Sequence, residues 1–229
     1  MQSKRIAIIG YGALGKLIHQ YIPSDIDVST FDQGDDASEA GLADVVFLTI
    51  PIKAYGPVLS ELAKSIKPET LVVDVCSVKV ESQKLVQKHL PDHANILISH
   101  PMFGPESAKE SMQGRQWVVC RESGSAREFV ELVEKMHGPT VLRMSADEHD
   151  KIMAEMHALT FFVARGLTHF GINPHPELTA PSYKWMLGLQ ELDTHHSDEL
   201  IETIESYNPY AEEARQRFIS ILQDLDSQY

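Results

Sequence analysis

Apolar and polar positions divide the chain into two unlike halves. Up to about residue 143, short apolar runs alternate with amphipathic stretches. The runs at residues 5–9, 27–31, 45–49, 71–74, 96–99 and 117–120 have strand length. The stretches at residues 54–66 and 80–90 repeat apolar side chains at helical spacing. Strands alternating with helices predict an α/β fold, a doubly wound parallel sheet with right-handed crossovers. From Ser145 onward no strand pattern remains. Ser145 and Asp147 have the character of helix caps, with Glu148 and Asp150 in the first turn. Ile152, Met153, Met156, Leu159 and Val163 then mark a helix to about residue 170, stopped by Gly171, Pro174 and Pro176. Further helices follow, the last over residues 210–225. The expected domains are residues 1–144, holding the sheet, and residues 145–229, all helical.

The first helix of the second half is apolar on more than one face, so it needs cover on more than one side. Some 85 residues make a small helical domain. A second copy related by a twofold axis would supply the cover, so a homodimer through the C-terminal helices is expected.

Charge changes the picture of possible partners. Twenty Lys and Arg stand against 33 Asp and Glu, a net charge of −13. That balance argues against nucleic acid and against an anionic membrane. No apolar run reaches the roughly 20 residues of a membrane span. The N-terminal residues lack a signal-peptide pattern, and the two cysteines, Cys76 and Cys120, suit a reduced compartment; a cytoplasmic location is expected. His169, His175, His195 and His196 fit no zinc spacing, so no metal is expected.

The first apolar run leads into Gly10-Tyr11-Gly12-Ala13-Leu14-Gly15 and then a helical pattern. Gly-x-Gly-x-x-Gly between a strand and a helix is the fingerprint of a Rossmann-type dinucleotide site. Gly10 allows the tight turn, Gly12 the approach of a pyrophosphate, and Gly15 the packing of helix on strand. Asp32 follows the second run, 22 residues after Gly10. A carboxylate there accepts from ribose hydroxyls and repels a 2′-phosphate, which favours NAD over NADP. Ala13, Leu14, Thr49 and Pro51 complete the expected cofactor-binding set.

Two further segments lie at strand ends, where open α/β sheets bind ligands. They are Asp74-Val75-Cys76-Ser77-Val78-Lys79 and His100-Pro101-Met102-Phe103-Gly104-Pro105-Glu106-Ser107. A hydride transfer that creates a carbonyl needs a group to take the hydroxyl proton, and neutral imidazole suits it. His100 is the expected catalytic residue, with Ser77 to orient it or the substrate.

With Glu148-His149-Asp150-Lys151, these segments resemble the prephenate and arogenate (cyclohexadienyl) dehydrogenases of tyrosine biosynthesis. The resemblance covers residues 4–170 well and the last 60 loosely. It is closest to the short arogenate dehydrogenases of plants, and implies a compact form with neither a chorismate mutase segment nor a regulatory domain. It implies NAD-dependent oxidative decarboxylation of prephenate or arogenate. His100 matches the family histidine that holds the ring C4 hydroxyl, Ser77 its hydrogen-bonding serine, and Glu106 an acid near the substrate. Many bacterial members carry a substrate-binding histidine where this chain has Phe161; His157, one turn earlier, is the alternative. A late-helix arginine of the family has no counterpart in Tyr207-Asn208-Pro209-Tyr210. Lys79, Arg165 and Arg115 remain to meet the substrate carboxylates. Two other readings stay open: a β-hydroxyacid or imine-reducing dehydrogenase on the same plan, and a non-catalytic NAD-sensing module. The hydroxyacid enzymes need an inward lysine on the long helix, which residues 153–160 lack.

Overall fold

In the computed structural model, which describes residues 5–175, 177, 178 and 180–229, the apolar runs of the first half form one sheet. Its strands are β1 (Arg5–Ile9), β2 (Asp27–Phe31), β3 (Val45–Leu48), β4 (Leu71–Asp74), β5 (Asn95–Pro101), β6 (Gln116–Glu122) and β7 (Thr140–Arg143). The strand order is β2-β1-β3-β4-β5-β6-β7. Helices α1 (Ala13–Tyr21), α2 (Tyr55–Leu62), α3 (Val80–His89) and α4 (Ala126–His137) connect them. Every residue of β3 and β4 is buried, which explains why these strands read as unbroken apolar runs. Ile8, Phe47, Val73, Leu97, Val119 and Val130 belong to one core cluster.

The sheet departs from the expected parallel arrangement at one edge. β1 to β5 are parallel, but β6 runs antiparallel to β5, and β7 returns parallel to β6. The connection between β5 and β6 holds turns and no helix, so it makes no crossover of the kind a parallel neighbour needs. The β5–β6 register shifts between Ile98 and Ser99: Ile98 pairs with Arg121 and Ser99 with Val119, leaving Cys120 as the extra residue. β7 was not expected, since Thr140–Arg143 buries none of its four residues fully.

The second half is helical, as its pattern requires: α5 (Ala146–Met153), α6 (Leu159–Phe170), α7 (Pro181–His195), α8 (Asp198–Tyr207) and α9 (Ala211–Asp226). Ser145 starts α5 with a reciprocal cap. Its Oγ accepts from the Glu148 N–H at 3.1 Å, and Glu148 Oε2 accepts from the Ser145 N–H at 2.9 Å. The long helix expected from residue 145 to 170 is interrupted by a π segment at Ala154–Ala158. Gly171 ends α6 at φ +83°, where a side chain would be strained; Pro176, expected to help, lies outside the described residues. Phe161 and Ala158 pack with Ile201, Ile204 and Ala211.

Packing divides the chain into Met1–His149 and Asp150–Tyr229. The division falls inside α5, five residues after the boundary expected at 144. His149, the last residue of the first unit, is wholly buried and bonded to His100 of β5.

Candidate functional site

The glycine loop is shaped as its spacing demands. Gly10 has φ +96°, and a Cβ there would stand 2.6 Å from the Thr49 carbonyl oxygen. A Cβ on Gly15 would collide with the Gly10 carbonyl. Gly12 differs: a Cβ there would meet nothing within 4 Å. Gly10 and Gly15 serve the fold, while Gly12 opens a space at the N-terminus of α1. Gly12 caps that helix with no side-chain hydrogen bond, so the first-turn N–H groups are not covered by a side chain. Ala13 is exposed and Leu14 half-buried beside it. Thr49, at the end of β3, donates from Oγ1 to the carbonyls of Gly10 at 2.5 Å and Ile9 at 3.0 Å, and Pro51 follows half-buried. The Gly10 N–H donates to the Phe31 carbonyl, which holds the loop beside Asp32. Asp32 is exposed, with Oδ1 accepting from the Gln33 N–H. This cradle fits a dinucleotide pyrophosphate over Gly12, with Asp32 placed for a ribose.

The adjoining strand ends are tied together by a buried polar network. Asp74 closes β4 with no exposed surface. Its Oδ1 accepts from the Tyr55 hydroxyl at 2.7 Å and the Cys76 N–H at 3.0 Å. Its Oδ2 accepts from Lys79 Nζ at 2.5 Å and the Ser82 hydroxyl at 2.8 Å. Lys79 also donates to the Ser99 carbonyl at 2.6 Å, and Ser99 Oγ donates to the Asp74 carbonyl at 2.9 Å. Burial, then the Asp74 carboxylate, push the Tyr55 phenol well above its usual range, so it remains a donor. The network clamps the loop carrying Ser77 against the strand carrying His100.

Ser77 is half-buried in that loop, three residues past Asp74, and Asp74 pairs with Ile98, two residues before His100. Both residues therefore stand at the carboxyl edge of adjacent strands. His100 is 4% exposed, and its Nδ1 lies 2.8 Å from Nε2 of His149, which is 0% exposed. The two rings meet edge to face, 5.1 Å apart at 72°. His149 was absent from the expected site. Its only signal was its place in the Glu148-His149-Asp150-Lys151 segment.

The expected carboxylate ligands fall differently. Lys79 is corrected: it has no exposed surface, and its charge is taken up inside the sheet by Asp74. Glu106 is exposed in the loop after β5. Arg115 is exposed, with Nε donating to the Ser111 carbonyl at 3.4 Å. In the helical unit, Arg165 donates to Asp193 at 3.0 Å and Asp198 at 2.7 Å, and these acids hold its proton more firmly still. Its charge is thus matched within the unit by two carboxylates. It borders a cleft of ≈ 530 Å³ with Phe161, Phe162, Glu205 and Arg215. His157 is half-buried in the π segment, its ring 6.1 Å from Phe161. Lys151 is exposed, its ammonium 5.3 Å above the Tyr210 ring.

Fold and cradle together define a dinucleotide-binding protein of the Rossmann class, with a buried histidine at its strand ends. Comparison with known proteins narrows this. Residues 24–143, more than half of the chain, match the family model "Prephenate dehydrogenase, nucleotide-binding domain". The chain belongs to that family. The matched residues include Asp32, Ser77 and His100 and begin after the glycine loop. Arogenate dehydrogenase 2, chloroplastic, of Arabidopsis thaliana is 31% identical over 93% of this chain and 66% of its own length. Cyclohexadienyl dehydrogenase of Zymomonas mobilis is 30% identical over 66% of this chain and 61% of its own. The chain thus spans less than two thirds of these relatives' lengths. Among solved structures, prephenate dehydrogenase from A. aeolicus, in complex with hydroxyphenyl propionate and NAD+, shares the fold. Its TM-score is 0.76 at 17% identity, over 99% of this chain and 91% of that one.

Proposed function

We propose that the chain catalyses the NAD-dependent oxidative decarboxylation of prephenate or arogenate. The observation that carries this reading is His100, buried at the carboxyl edge of the sheet that also forms the dinucleotide cradle. When bound, the nicotinamide supplies the acceptor for the hydride of ring C4. The protein's own part is modest, because aromatisation supplies most of the driving force. His100 accepts a hydrogen bond from the C4 hydroxyl and steadies the positive charge that grows on that carbon as hydride departs. The C1–carboxylate bond then breaks, its electrons complete the aromatic ring, and CO₂ leaves. Ser77, on the adjacent strand end, orients the hydroxyl or the imidazole. Glu106, exposed beyond β5, is the remaining polar group of this unit assigned to the substrate.

Asp32 favours NAD. The stretch from residue 32 to 36 holds three acids and no basic side chain, so a 2′-phosphate would meet only like charge. A second copy of the chain is the partner assigned to the helical unit. None of the 15 residues of α7 is buried, and Trp185 is 79% and Phe170 84% exposed. Large apolar side chains exposed on helices of one unit suit a protein interface.

Steady-state kinetics with prephenate and arogenate, each with NAD and NADP, test the reading. Turnover of at least one substrate with NAD is expected, and His100→Asn should lower it by about 10²–10⁴-fold while NAD still binds. No turnover of either substrate, or a folded His100→Asn enzyme of normal rate, would overturn it.

A further inference from the structure

The bond between His100 and His149 says more than that His100 is well held. Two neutral imidazoles 2.8 Å apart share one hydrogen: one ring donates, the other accepts. If His149 donated to His100 Nδ1, the proton of His100 would sit on Nε2. That nitrogen would then be a donor, unable to accept from a substrate hydroxyl. If His100 donates from Nδ1, its Nε2 carries a lone pair and becomes the acceptor. We propose that His149 is a positioning residue that takes the Nδ1–H of His100 and so locks the catalytic ring in its accepting tautomer.

Three observations support a fixed contact between the rings, and its direction follows from the acceptor role that His100 Nε2 must play. Both rings are buried, so water is poorly placed to satisfy Nδ1 in place of His149. The edge-to-face geometry, 72° between planes, points an in-plane N–H of one ring at the other. The rings are held by different elements, His100 by β5 and His149 by the capped first turns of α5, so the contact fixes ring orientation as well as tautomer. As the hydroxyl proton moves toward His100 Nε2, the Nδ1–H bond becomes charge-assisted and strengthens. The hydroxyl proton is shared with His100 Nε2 while hydride departs and returns to the ring oxygen as CO₂ leaves and the ring becomes aromatic, and the Nδ1 proton stays where it began. This assignment rests on the dehydrogenase reading above, but its first test does not.

That test is the ¹⁵N spectrum of histidine-labelled protein without substrate, at a pH where both rings are neutral. His100→Asn and His149→Gln assign the signals. His100 should show a protonated Nδ1 and a bare Nε2. In His149→Leu it should turn to the Nε2–H form that free imidazole prefers. The Leu variant should lose about 10²-fold in kcat with KM within about threefold of wild type, since an effect confined to the transition state spares substrate binding. His149→Gln, whose amide oxygen can accept from Nδ1–H, should recover kcat to within about tenfold. A wild-type His100 protonated on Nε2, or a Leu variant of normal kcat, overturns the assignment. If the Leu variant does not fold, the wild-type spectrum and the Gln variant decide. A wild type with the expected tautomer but no turnover of either substrate would sink the dehydrogenase reading instead.

Discussion

Lys79 is the residue whose role the structure changes most, and its replacement separates the two roles cleanly. Its ammonium bridges the Asp74 carboxylate at 2.5 Å and the Ser99 carbonyl at 2.6 Å, and neither side chain of the ion pair has exposed surface. Lys79→Met keeps an unbranched stem of similar volume and removes the charge. Asp74 would keep three donors: the Tyr55 and Ser82 hydroxyls and the Cys76 N–H. It would lose its only cation in the network, and the Ser99 carbonyl would lose a charged donor. Breaking one side of a buried ion pair typically costs about 3–5 kcal/mol. For a chain of this size that lowers the melting temperature by roughly 6–20 °C. Urea unfolding and calorimetry of wild type, Lys79→Met, Asp74→Asn and the double variant would measure it. The double variant should be less destabilised than the sum of the singles by at least about 1 kcal/mol, because it leaves no lone buried charge. Lys79→Met within about 1 kcal/mol of wild type, together with a raised KM, would refute this reasoning and return Lys79 to the substrate.

The remaining expectations concern cofactor and assembly. Asp32→Ser should weaken NAD and improve NADP in the ratio of kcat/KM values, since it removes both a ribose acceptor and a charge opposed to the 2′-phosphate; a wild type that already prefers NADP contradicts it. The protein should run as a dimer in light scattering at micromolar concentration, and Trp185→Glu, which puts a charge on the exposed α7 face, should shift it toward monomer. A stable, active wild-type monomer would remove the second copy from the account.

Much of the architecture follows from local pattern. β1 and β4 coincide with their apolar runs because strands between parallel neighbours are buried and apolar nearly throughout, whereas β2, which also falls where expected, lies at the sheet edge and buries none of its residues. The glycine loop was readable for a similar reason, since Gly10 and Gly15 stand where the backbone leaves no room for a Cβ. The direction of β6 was not readable. Its apolar run suits either orientation, and only the helix-free connection before it decides. The π segment at Ala154–Ala158 was hidden as well, because one extra residue in a turn barely disturbs a helical repeat of apolar side chains.

The site shows the same limit at the level of single side chains. His100 and Ser77 could be placed because strand ends are where such folds present chemistry, a property of sequence order. Their supports depend on who is buried beside whom. Lys79 in a strand-end segment reads equally as a ligand for a substrate carboxylate or as the counter-ion of a buried acid. The choice is made by the pairing of Asp74 with Ile98, which brings the Ser99 carbonyl within reach of the same ammonium. His149 lies 49 residues from its partner, among acids at a helix start, where a histidine reads as solvated. It becomes a working residue only because the capped turn of α5 seats it against β5. A candidate residue on a sheet edge can thus be placed from the local pattern, whereas the groups packed against it are chosen by contacts between distant segments.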